Sequence, residues 1–121
     1  MKTIFLFLFL MVNGYYLQAQ PVSKTDSMAK KVFLFLKRKQ PDSIYQLTGK
    51  GFREKITAEN FNSITVSKLF PLSDFSLYKY AGSKEGINKY RVEGSPTLQL
   101  LIGLDADNRI GTLLIQEWMP E

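Results

Sequence analysis

The 121-residue chain contains no histidine and no cysteine. Without histidine there is no Ser-His-Asp triad, no imidazole base near neutral pH and no histidine-ligated zinc. Acid–base chemistry would fall to Asp, Glu, Lys or Tyr with a displaced pKa. Without cysteine there is no thiol nucleophile, no thiolate metal site and no disulfide. Glycine-rich phosphate loops, dinucleotide fingerprints, the G-x-S-x-G nucleophile elbow and S-x-x-K are missing as well. No cofactor is expected, and the chain reads as a non-enzyme.

What is present begins with an apolar run. "IFLFLFLMV" (Ile4–Val12) follows Lys2 and is itself followed by Asn13, Gly14 and "YYLQAQP". A positive start, a short apolar stretch and a small residue at Ala19 read as a signal peptide over residues 1–19. The run falls short of the roughly 20 residues a membrane-spanning helix needs, so no stable span is expected after its removal. The chain is then exported, periplasmic or secreted, with one domain over residues 20–121. Removing Lys2 leaves 15 basic and 11 acidic residues. The basic residues of "KKVFLFLKRK" read as a solvated helix face, and no aromatic-and-basic motif for nucleic acid accompanies them.

Residues 24–41, "KTDSMAKKVFLFLKRKQP", predict a helix. Thr25 or Asp26 would cap it, and Met28, Val32, Phe35 and Leu36 share a face that Ala29 and Phe33 widen. Leu34 falls among the basic residues. "PDSIYQL" predicts a second short helix that stops at "TGKGF", where Gly49 and Gly51 break the pattern. A third helix starts at a Thr57 cap, carries Phe61, Ile64 and Leu69 inward and ends at Pro71.

From Asp74 onward the chain reads as strands. "FSLYKYA" and "INKYRVE" flank "GSKEG", a five-residue hairpin loop that sets Ala81 against Ile87 and Tyr78 against Tyr90. "TLQLLIGL" and "RIGTLLIQEW" flank "DADN". Pairing Leu104 with Ile110 puts Leu98, Leu100, Ile102, Ile110 and Leu114 on one face. Leu101, Leu113 and Ile115 then form a second apolar face, a candidate interface. Asp105 and Asp107 read as turn residues. A calcium loop starting at Asp105 would need glycine where Ile110 stands and glutamate where Gln116 stands.

Helices followed by four antiparallel strands make this an α+β chain. "VFLFLKRKQPDSIYQL", "FREKITAENF", "KYRV" and "LIGLDADNRIGTLLIQ" together resemble a bacterial exported domain of unknown function in the nuclear-transport-factor-like, or ketosteroid-isomerase-like, superfamily. That type also occurs ahead of secreted serine hydrolases and α/β hydrolases. The resemblance implies two or three N-terminal helices packed on a curved four-stranded antiparallel sheet, a cone with an interior pocket, and dimerisation through the sheet. Three expectations follow. In the first, the chain is a non-catalytic module that binds a second copy or another envelope protein through Leu101, Leu113 and Ile115. In the second, it binds a small apolar ligand near Tyr78, Tyr90 and Trp118. The third, resting on fold analogy alone, is an isomerase- or dehydratase-like enzyme, for which Glu117 and Tyr90 are the candidate groups.

Overall fold

The computed structural model describes residues 22–119, together with the backbone of residues 6–9. The rest of the signal-peptide reading lies outside the described residues. The elements run in chain order as β1 (Leu6–Phe9), α1 (Val22–Lys37), α2 (Pro41–Tyr45), α3 (Lys50–Lys55), α4 (Ala58–Ile64), β2 (Tyr78–Lys84), β3 (Ile87–Val92), β4 (Leu98–Leu104) and β5 (Ile110–Glu117). The architecture is α+β: helices, then a four-stranded antiparallel sheet, with the short β1 added beside β5. The strand order is β1-β5-β4-β3-β2.

Helix α1 forms because apolar residues recur every three or four positions. Thr25, Ala29, Val32, Phe33 and Leu36 are buried against β3 and β4. Met28 and Phe35 pack at the margin of this stripe, while Leu34 stays 42% exposed. The helix begins at Val22, so Thr25 and Asp26 lie inside it and cap nothing. Helix α2 opens on Pro41, whose missing N–H costs nothing in a first turn.

Residues 50–55 are helical despite Gly51, where two glycines had predicted a break. The reason is tertiary: the Phe52 ring is fully buried, in edge contact with Phe61 at 6.1 Å between centroids. Thr57 caps α4, its side chain accepting the Asn60 N–H at 3.1 Å. After Ile64 the helix widens into a π turn over Thr65–Leu69 and ends as a 3₁₀ turn at Phe70–Leu72. The wider turn keeps Phe61, Thr65 and Leu69 pointing inward.

Beyond it, Phe75 is buried although its φ of 58° lies in the left-handed region. Its N–H bonds to Ser73 Oγ at 2.9 Å. The neighbouring Asp74 carboxyl sits below its usual pKa because the Ser76 N–H and side chain bond to it.

Two strand registers differ from the sequence expectation. The first hairpin turns on Glu85 and Gly86 alone, both at positive φ (55° and 82°), so Lys84 faces Ile87. A bulge between Tyr80 and Gly82 absorbs the difference, and Tyr80, rather than Tyr78, faces Tyr90. In the last hairpin Leu104 does face Ile110, but the next pair is Gly103 with Thr112. One extra residue, Gly111, therefore bulges from β5, and every later side chain changes face. Leu113 and Ile115 join Leu98, Leu100 and Ile102 in the core, and Leu114 goes to the opposite face with Leu101. The expected interface set of Leu101, Leu113 and Ile115 is thus divided by the sheet.

The core sits between the helices and this inner face, from Ala29 to Ile115. The turn "DADN" closes β4 onto β5. Asp105 Oδ1 accepts the N–H groups of Asp107 and Arg109 at 2.9 and 3.0 Å, and Asn108 takes a φ of 64°. This is an Asx-type turn, as the short acidic and amide side chains predict. The turn is fastened to the helical layer: Gly49 N–H donates to Ile110 O, and Ile110 N–H donates to Leu47 O. Arg109 donates to the carbonyls of Thr48 and Gln46, and Arg53 to those of Tyr45 and Gln46. Both guanidinium groups thereby bond to carbonyls in and just beyond the last turn of α2 and share that of Gln46.

Candidate functional site

Alternation along β3 sorts the polar chemistry of the sheet. Asn88, Tyr90 and Val92 are buried on the inner face, while Ile87, Lys89 and Arg91 are half-buried on the outer one. The three aromatic residues expected around one pocket fall on different sides.

Tyr78 and Tyr90 are on the inner side. The Tyr78 ring stacks on Phe33, with centroids 3.8 Å apart and planes within 8°, and Phe33 meets Tyr90 edge-on at 5.8 Å. Tyr80 adds a further edge contact to Tyr90 at 5.8 Å. Phe33 is contributed by α1, whose packing on β3 and β4 brings the three rings together. The rings are packed on one another rather than arranged around a space.

The Tyr90 hydroxyl donates to Asp26 Oδ1 at 2.8 Å and accepts from Asn88 Nδ2 at 3.0 Å. Asn88 Nδ2 also points at Val22 O, at 3.4 Å. Asp26 reaches Lys30 one helical turn on, at 3.4 Å. The network ties β3 to the first two turns of α1. Burial, followed by the adjacent Asp26, raises the Tyr90 pKa well above its ordinary 10.0. A phenol so held keeps its proton and serves as a fixed donor, not as a base. Glu117, the other candidate acid–base group, is half-buried at the end of β5, where it faces Leu98. It is not part of this network.

Trp118 belongs to the outer side. Lys89 Nζ lies 4.6 Å from the indole centroid and the Arg91 guanidinium 5.2 Å from it. Both cations project from the same face of β3 and hold the ring between them. Lys89 also donates to Met119 O at 3.3 Å, and Gln99 Oε1 accepts the Met119 N–H at 3.1 Å, which folds the chain end onto this face. Arg91 pairs with Glu93 at 3.2 Å. Sequence reading passed over Lys89, Arg91 and Gln99. The signal that would have found them is the i, i+2 spacing of the two cations, opposite in phase to Tyr90 and Val92.

Beside this cluster lies an open concavity of about 600 Å³, whose lining includes the apolar Ile87 and Leu101 and the polar Lys84, Glu85, Lys89 and Gln99. Leu101 faces Leu114 across the ladder, so apolar side chains continue over the outer face to β5. No cluster of metal-ligating side chains and no helix long and apolar enough to cross a membrane occurs among the described residues. Comparison with known proteins finds no family model, no curated protein and no solved structure that matches this chain.

Proposed function

We propose that the chain is an exported, non-catalytic interaction module that associates through its sheet, with a second copy or with another envelope protein. The observation that carries the proposal is the outer face. An antiparallel sheet with helices on one side needs no apolar residues on the other, yet Ile87, Leu101 and Leu114 are all there. In this structure Ile87 and Leu101 are half-buried and Leu114 is 9% exposed, so covering them contributes only part of the roughly 1.5–3 kcal/mol that full burial of such a side chain gives, before the cost of association. The fold, helices followed by a four-stranded antiparallel sheet, goes with the proposed kinship to nuclear-transport-factor-like exported domains. The small-ligand alternative at Tyr78, Tyr90 and Trp118 is not retained, because those rings are divided between two faces.

The test expresses the full chain in a bacterium with an outer membrane. The mass of the exported protein should correspond to cleavage near Ala19. Light scattering after size exclusion and capture from an envelope extract then report association. Leu101→Lys should abolish capture of an envelope protein on the outer face while leaving the circular dichroism spectrum unchanged. A monomeric parent protein, with a Leu101→Lys variant that captures envelope protein equally well, would overturn the proposal.

A further inference from the structure

The two edges of the sheet are built differently. At one edge, β2 carries Lys79, Lys84 and the Tyr80/Gly82 bulge, devices that stop a strand from accepting a neighbour. At the other, "GTLLIQ" of β5 has no charge, no proline and, past Gly111, an unbroken register. An edge of this kind pairs with whatever strand is offered. In this structure the occupant is β1. Leu6, Phe7, Leu8 and Phe9 stand opposite Gln116, Ile115, Leu114 and Leu113. These four residues belong to the apolar run read above as part of a signal peptide. Their removal would leave the β5 edge without its partner.

We propose that the β5 edge of the processed protein pairs with β5 of a second copy, antiparallel about a two-fold axis through Leu114. The inference rests on the export reading given above, and adds to it the edge used and the identity of the occupant. The argument is self-complementarity. Centred on Leu114, a second β5 sets Ile115 opposite Leu113, Leu114 opposite Leu114, Leu113 opposite Ile115, and Thr112 opposite Gln116. Three of the four positions that β1 fills with apolar residues are filled by apolar residues again, and the fourth pairs Thr with Gln. No like charges meet across the strands. Such an interface is isologous and closes at two copies, so it uses up the edge without leading to fibres. It also joins the two sheets into one and continues the outer apolar face across the axis.

Geometry separates this dimer from a face-to-face one. Residues directly opposite each other on antiparallel strands have Cα atoms about 4.5–5.5 Å apart, within the roughly 4.4–6.8 Å that a disulfide spans. The two Leu101 positions of an edge-paired dimer are three strand spacings apart, about 14 Å. Packed sheets stand about 10 Å apart, which puts position 114 of one out of disulfide reach of the other. The chain has no native cysteine, so single substitutions report without background.

The experiment uses full-length chains carrying Leu114→Cys or Leu101→Cys, exported and purified, beside versions with an uncleavable leader. A further version comprises residues 20–121, which retain every core residue from Ala29 to Ile115. The processed Leu114→Cys protein is expected to migrate at twice the chain mass under mild oxidation, with Leu101→Cys remaining monomeric on a non-reducing gel. The uncleaved Leu114→Cys protein is expected to cross-link at least tenfold more slowly, because β1 holds the edge. Processed protein that is dimeric by light scattering but cross-links at neither position would overturn the edge proposal and leave association through the sheet face standing. Processed protein that is monomeric and cross-links at neither position would overturn the proposal outright; capture of an envelope protein then decides the broader function. A mass showing Met1 retained in exported material would count against removal of residues 1–19 and not against the pairing of residues 20–121.

Discussion

Replacing Tyr90 with phenylalanine removes one oxygen atom and leaves the ring contacts with Phe33, Tyr78 and Tyr80 in place. Two hydrogen bonds are lost. The bond to the Asp26 carboxylate is charge-assisted, a kind worth about 1.5–3 kcal/mol, and the stranded Asn88 amide costs about 1–3 kcal/mol. Asn88 is 1% exposed and keeps only the 3.4 Å contact with Val22 O, so water cannot replace the lost partner. Asp26 is 30% exposed at its side chain and recovers part of its loss from solvent. The expected total is therefore about 2–3 kcal/mol, toward the low end of the sum. Urea denaturation should show this as a lower midpoint at unchanged slope, and melting should fall by about 10–20 °C for a domain of this size. The pH dependence adds a second readout. The folded pKa of Tyr90 is raised, so its contribution is fully present below the unfolded value of 10.0 and is lost as pH rises above that value. The difference between parent and Tyr90→Phe should be constant from pH 7 to about 9 and shrink above pH 10. A loss below about 0.5 kcal/mol at pH 7, or a difference that does not change above pH 10, would refute the network as described.

Two further predictions test packing. At Gly49 an added methyl would collide with Asp105 Oδ2 and come within 3.1 Å of Asp105 Cγ and 3.4 Å of Arg109 Cβ. Gly49→Ala is expected to cost about 1–3 kcal/mol by displacing the turn carboxylate from the Asp107 and Arg109 N–H groups, read by the denaturation midpoint together with the amide exchange of those two residues. Phe33→Ala, at a ring 2% exposed and stacked on Tyr78, should cost about 3–5 kcal/mol, whereas Leu34→Ala one residue on, 42% exposed, should fall within about 0.5 kcal/mol of the parent.

The adjacent pair Phe33 and Leu34 also illustrates how far the sequence could be read. In α1 the spacing of Ala29, Val32, Phe33 and Leu36 separated inside from outside, because a helix repeats and one face meets the sheet. Thr25 deceived for a physical reason: a small β-branched residue suits a buried stripe as well as a cap. Helix α3 was invisible because its stability lies in the burial of Phe52, a contact with α4 that no local pattern records. The strand faces were lost at a single residue. Gly111, a lone glycine inside a strand pattern, is itself the mark of a bulge, and with the bulge Leu113 and Ile115 turn inward and Leu114 outward. The candidate site followed the same rule. Tyr90 was found by type but not by its partners, since Asp26 lies 64 positions away. Trp118, expected beside Tyr78 and Tyr90 on aromatic content alone, stands on the outer side, where Lys89 and Arg91 hold it.

The fastening of Ile110 to Leu47, and of Arg109 to the end of α2, bears on the moment at which the molecule acquires its shape. The segment that completes the interior, Ile110–Glu117, follows every other described element in chain order. Without it, Leu100 and Ile102 are paired on one side only, with β3, and the carbonyls of Gln46 and Thr48 lack Arg109. A chain that has not yet been extended through this segment therefore holds its helices and first hairpin without a finished centre.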